Sequence, residues 1–227
     1  MPSSLLPVSI SARRVLILGL VAGYLDALSF VDLSGVFAGA MTGNTTHMGA
    51  SFISGNWQHG LLLMGVLGVF FLAAILASLM RLLWSPACGV MVMTIFMVLA
   101  QAVQGSSLRY WGEFLVLPAL LAVQGETIAK FSGTPMPTIV VTTNLLKAAS
   151  GIAEWMASWI APDRNIRPIA GSIFLPLLSW GAFLAGVMAA ATGLALHGSF
   201  PFLWPVPFLV FLYRDIWKTE RSGQDDN

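Results

Sequence analysis

Asp26 is a carboxylate inside an apolar run from Val15 to Val31, and it is the first residue in this chain whose type and setting point to chemistry. An ionised carboxylate in hydrocarbon is costly unless it is paired or hydrated, so it marks either an ion or solute site or a group that caps a neighbouring helix. Sliding the chain against itself by 100 residues sets Asp26 opposite Glu126 and Thr42-Gly43-Asn44 opposite Thr142-Thr143-Asn144. The same shift pairs His47 with Lys147. The candidate substrate- or ion-binding set is therefore Asp26, Thr42, Asn44, Thr45, Glu126, Thr142 and Asn144.

Each of these residues has a second, purely structural reading. Threonine and asparagine commonly bond across helices in membranes, for about 0.6 kcal/mol each on average. Glu126 has Lys130 four residues on, the spacing of an ion pair along a helix. His47 has the chemistry of a proton relay near neutral pH, and Lys147 could answer Asp26 or Glu126, or extend its charge to an interface. The run Gly35-x-x-x-Gly39-x-x-x-Gly43 predicts three glycines on one helix face for close packing. No metal-ligand spacing occurs, and no nucleophile has a base and an orienting partner beside it. The sequence therefore predicts no enzyme, no metal site and no cofactor.

These residues must be positioned by elements that water does not solvate. Of 227 residues, 57% are hydrophobic and 9% charged, against roughly 25% charged in a soluble domain, and the mean hydropathy is +0.82. A net charge of +1 with no basic block leaves nothing to neutralise a nucleic acid. The single cysteine, Cys88, excludes an intrachain disulfide and reads as a packing residue. Arg13-Arg14, an apolar run and Ala38-Gly39-Ala40 imitate a signal peptide. The run continues to Val31 and further apolar segments follow, which predicts a retained first helix.

Eight apolar segments follow one another: Val15–Val31, Ser34–Ser54, Gly60–Met80, Ala87–Gln104, Phe114–Ala129, Thr134–Trp155, Ile169–Leu196 and Phe200–Tyr213. Most approach the length of about 20 residues that a hydrocarbon core of roughly 30 Å demands. Phe71-Leu72-Ala73-Ala74 resembles Phe183-Leu184-Ala185-Gly186 if residues 157–167 are an insertion, so the repeat covers four segments per half. If the second segment of each half re-enters without crossing, nine Lys and Arg residues fall on the side of Arg13 and Arg14. Only Arg109 then falls opposite, and Lys147 stays within the membrane. If every segment crosses, Arg81 and Lys130 fall opposite instead, and positive charge favours the cytoplasmic side.

The stretches Gly23-Tyr24-Leu25-Asp26-Ala27 and Thr42-Gly43-Asn44 resemble the hallmarks of the DUF1275 family of bacterial membrane proteins, also called the YoaK or UPF0700 family. The second half departs from that pattern, with Val123-Gln124-Gly125-Glu126 and Thr142-Thr143-Asn144. The resemblance implies a multi-spanning protein of the bacterial inner membrane and no defined activity.

The expectation is an all-α integral membrane protein with about six transmembrane helices as two inverted three-helix repeats, each with a short or re-entrant extra helix. Repeat 1 covers about 13–105 and repeat 2 about 113–214, within one membrane domain that ends in a cytoplasmic tail at 215–227. Both termini are predicted to be cytoplasmic. The expected function is a transporter or channel-like permease for a small polar solute or ion, coupled to protons or cations. The alternative is a non-transporting assembly protein whose Gly, Thr and Asn motifs only pack helices. Partners reduce to the lipid bilayer, the solute and, as an option, further copies of the chain.

Overall fold

The computed structural model describes residues 7–127, 130–131, 134–135, 138–161, 164, 171–196 and 200–225. Eight helices are described: α1 (Val8–Asp32), α2 (Met41–Ile53), α3 (Trp57–Leu83), α4 (Pro86–Val103), α5 (Arg109–Thr127), α6 (Val141–Ile160), α7 (Phe174–Ala195) and α8 (Val206–Asp225). Between α5 and α6, Lys130–Phe131 (β1) and Thr134–Pro135 (β2) form a two-residue antiparallel ladder. α1, α3, α4 and α7 are long and apolar enough to cross a membrane.

The helix ends follow local chemistry. Pro86 opens α4, where a missing N–H costs nothing. The Asn56 side chain accepts from the His59 N–H and caps α3. Pro118 lies inside α5, which still runs to Thr127.

Side-chain contacts give the helix directions. Arg109, at the start of α5, pairs with Asp32, at the end of α1, whereas Gln124, near the end of α5, reaches the Leu18 carbonyl. α5 is therefore antiparallel to α1. Glycines on α1 and α7 face each other in the same order, so those two helices run parallel. α8 starts just after Phe202, whose N–H donates to Gln101 one turn from the end of α4, and Asp215, about midway along it, meets Arg13 and Arg14 at the start of α1. Six helices thus alternate in direction: α1, α4 and α7 one way, α3, α5 and α8 the other. We call the end where α1 starts the near end and the opposite one the far end.

α1 and α5 form the centre. α1 packs against α7, α5, and α8; α5 packs against α3, α4 and α1. Val15, Leu18, Ala22, Leu25, Leu117, Leu120 and Leu121 are among the fully buried side chains of this core. Among the described elements α2 packs only on α3 and α6 only on α7, so both are peripheral. The outer surfaces of α3 and α7 expose Phe71, Leu72, Leu76, Leu184 and Met188, as a lipid-facing surface does. Trp57, Trp111 and Trp204 lie exposed at the far end and Trp84 and Trp217 at the near end, the placement of interfacial rings.

Two expectations from the sequence are corrected, the shared glycine face and the end of the last apolar segment at Tyr213. Gly35, Gly39 and Gly43 do not share a helix face, because α2 starts at Met41 and residues 34–40 are a loop. Ser34 and Gly35 both have positive φ, 56° and 90°, and reverse the chain there. The tail after Tyr213 is helical to Asp225, because its polar side chains meet Arg13 and Arg14.

Candidate functional site

The site is built where the chain leaves α1. After the reversal at Ser34, residues 36–39 run back along α1 into the bundle. Ser29 Oγ donates to the Val36 carbonyl at 2.9 Å, and Gly39 N–H donates to Asp26 Oδ1 at 2.7 Å. The same carboxylate faces the backbone N–H groups of Ala38 and Ala40. These donors belong to the loop that leads into α2, so Asp26, 4% exposed, holds that loop's backbone against α1 just before the helix begins. Asp26 is twelve residues past Arg14 and six before Asp32, about 18 Å and about 9 Å along the axis, so α2 begins deep in the bundle. From there α2 returns to the far end, where Phe52 packs against Gly60 at the start of α3.

Asn44, one turn into α2, locks this descent. Its Oδ1 accepts from Phe37 N–H at 3.0 Å and its Nδ2 donates to the Phe37 carbonyl at 2.7 Å. Both backbone polar groups of one loop residue, Phe37, are thereby satisfied inside the protein, as an apolar surrounding requires. Gly39 is needed for close approach, since a Cβ there would lie 2.8 Å from Leu121 Cδ1.

The second half has a related joint with different chemistry. Gln124, buried in α5, donates through Nε2 to the Leu18 carbonyl at 2.9 Å and to Thr138 Oγ1 at 3.0 Å. Thr138 precedes α6 by three residues, as Ala38 precedes α2. Asn144 donates to Ser179 Oγ on α7 at 2.9 Å. Glu126 does not repeat Asp26: it lies in the last turn of α5, accepts from Ser78 Oγ at 2.9 Å and sits 3.4 Å from Arg81 of α3. The two acids matched in sequence therefore occupy different depths.

The other sequence candidates scatter. Thr42, Thr45, Thr46 and His47 are exposed on α2, and Thr142 is exposed on α6. Thr45 and Thr46 donate to carbonyls one turn back, Met41 and Thr42. Lys147 is half-buried on α6, and among the described residues it pairs with neither Asp26 nor Glu126. The side chain of Lys130 and all of Arg167 and His197 lie outside the described residues. Among the described residues no cluster of His, Cys, Asp and Glu can hold a metal.

A second polar locus, absent from the sequence reading, closes the far end. Arg109 donates from Nε to Glu113 Oε1 at 2.9 Å and from Nη2 to Asp32 at 2.8 Å. Glu113 is 1% exposed, whereas the Arg109 side chain is 43% exposed. Turned to satisfy its neighbours, the Gln104 amide donates to Glu113 at 2.7 Å and accepts from Arg109. The group ties the ends of α1 and α4 to the start of α5. A cavity of about 260 Å³ opens beside it, lined by Asp32, Gln104 and Arg109 together with Tyr24, Pro201 and Trp204.

Apolar spanning helices, backbone polar groups satisfied within the protein and tryptophans at both ends define a polytopic helical membrane protein. Residues 15–214 match the family described as "Protein of unknown function (DUF1275)", and the chain belongs to that family. No curated protein and no solved structure matches it.

Proposed function

We propose that the chain is a permease or channel-like transporter for a small polar solute or ion. In this reading it crosses the membrane six times, as two inverted halves that each carry one re-entrant half-helix. The observation that carries the reading is the descent of residues 36–39 along α1, with α2 starting beside buried Asp26. Broken helices whose N-termini point into the bundle are how many secondary transporters present dipoles and backbone groups to a solute.

Helix pairing supports two equivalent halves. Exchanging α1–α4 for α5–α8 turns α1·α7 into α5·α3, α4·α5 into α8·α1, and α2·α3 into α6·α7, and all six contacts are present. α5 and α8 supply the fifth and sixth crossings. The near end carries Arg13, Arg14, Arg81, Arg214, Lys218 and Arg221 against Arg109 at the far end, so the near end and both termini face the cytoplasm of a bacterial inner membrane.

Asp26 and Asn44 act in this reading as positioning residues, since backbone groups occupy them, and the solute meets the exposed first-turn hydroxyls Thr42 and Thr142. The chain is not an enzyme and uses no cofactor.

A second reading, a non-transporting assembly protein, is favoured by the saturation of Asp26 and Asn44 with structural bonds. Flux separates the two. Purified protein in proteoliposomes is screened with small polar solutes and monovalent cations. Transport is expected in the wild type and reduced about tenfold in Thr42→Val with Thr142→Val, at unchanged folded yield. Asp26→Asn keeps an acceptor for Gly39 and is expected to retain folding and flux. No flux for any solute overturns the transport reading and leaves the assembly reading.

A further inference from the structure

The polar cavity at the far end has an apolar neighbour. A cavity of about 480 Å³ lies between α1, α7 and the start of α8, lined by Leu20, Val21, Ala189, Leu196 and Phe208 among others. Among the described residues α7 and α8 make no packing contact, whereas their counterparts α3 and α4 do, which leaves this space open. Tyr24, Gly193 and Trp204 wall both cavities, so an apolar space within the bilayer adjoins a polar one at its edge.

The polar space has a defined charge pattern. Two carboxyl groups, of Asp32 and Glu113, meet one guanidinium, of Arg109. Asp32 Oδ2 is buried with no hydrogen bond among the described residues, so the carboxylate keeps an unused acceptor. Arg109 bonds Glu113 through Nε and Asp32 through Nη2, and its side chain stays 43% exposed with further donors on the fork. A ligand that suits both carries an anion for the guanidinium and an N–H-bearing cation for the carboxylate. Joined to an apolar chain, that is a phospholipid with a primary-amine zwitterionic head.

We propose that the two cavities form one site for a phosphoethanolamine lipid. Its acyl chain lies in the groove between α1, α7 and α8, its phosphate is on Arg109 and its ammonium is at Asp32. Trp204, at the junction, packs on the glycerol region with its amphipathic ring. A quaternary-amine head has no N–H to give Asp32, and a head without an amine leaves the acceptor unused. The site stands whether or not the protein moves a solute.

Gly193 provides a clean variant, because a Cβ there has only the Tyr24 hydroxyl within reach, at 4.0 Å. The side chain of Gly193→Trp therefore starts in open space among the described residues, and its indole is large enough to block the junction. Protein purified in detergent is exchanged into mixtures of phosphatidylethanolamine, phosphatidylcholine and phosphatidylglycerol, and retained lipid is read by native mass spectrometry. Wild type is expected to retain one phosphatidylethanolamine per chain with about a tenfold preference over the others. Gly193→Trp, with helical content and monodispersity intact, is expected to lose it. Asp32→Asn is expected to abolish the discrimination against phosphatidylcholine. Equal retention of the three heads, no retained lipid, or retention unchanged in Gly193→Trp each overturns the proposal.

Discussion

At the scale of single residues, the tightest demands fall on glycines of α1 and α7. A Cβ at Gly23 would overlap the Phe183 carbonyl, and one at Gly186 would overlap the Leu20 carbonyl. A Cβ at Gly19 would lie 2.8 Å from Ala182 Cβ. The neighbouring atoms at Gly23 and Gly186 are backbone and cannot swing away, so Gly23→Ala or Gly186→Ala must separate the helices. Overpacking typically costs about 1–3 kcal/mol, and a backbone clash lies at the upper end. Thermal unfolding in detergent should show a clear loss for both variants, while Gly49→Ala, which meets nothing within 4 Å, should be neutral. Gly19-x-x-x-Gly23 has the spacing of a close-packing motif but did not stand out in the sequence. The more conspicuous Gly35-x-x-x-Gly39-x-x-x-Gly43 has the same spacing and does other work. Spacing alone does not tell a helix from a loop that precedes one. The deciding signal, that Asp26 and Asn44 both bind loop backbone, is tertiary and has no sequence signature.

At the scale of elements, residues 33–56 leave from the far end and return to it. A helix of 13 residues spans about 20 Å, short of the roughly 30 Å core. In a Cys88→Ala background, Ser34→Cys and Ser54→Cys should therefore be labelled by a membrane-impermeant maleimide from the same side. Labelling from opposite sides would sink the re-entrant reading. The eight apolar segments were readable from hydropathy, whereas the peripheral place of α2 and α6 was not. Neither were the ends of α8 and of α1. Arg13 and Arg14 looked like a plain basic flank, yet both bond Asp215, and Arg14 also donates to Thr219 Oγ1 at 2.9 Å. Such a pairing across 201 residues leaves no local pattern. Because Arg14 is buried, Asp215→Ala strands a charge and should cost about 3–5 kcal/mol. Arg14→Met with Asp215→Leu should recover most of that loss in the same unfolding assay.

At the scale of the whole molecule, each half is completed by the other: α1 packs on α7, and α5 on α3. The shift of 100 residues set Thr-x-Asn against Thr-x-Asn and acid against acid, but the acids proved inequivalent, with Glu126 engaged by Ser78 and Arg81 at the near end. What carries the likeness is the order of helices, which tolerates Gln124 standing where a carboxylate stands in the first half. The interleaving also has a timetable. α1 emerges first, but the helix that fills its glycine groove begins about 140 residues later. At about 5–20 residues per second of synthesis, a nascent chain holds that groove open for on the order of ten seconds. During that interval lipid or the insertion machinery must shelter Gly19, Gly23 and the buried Asp26.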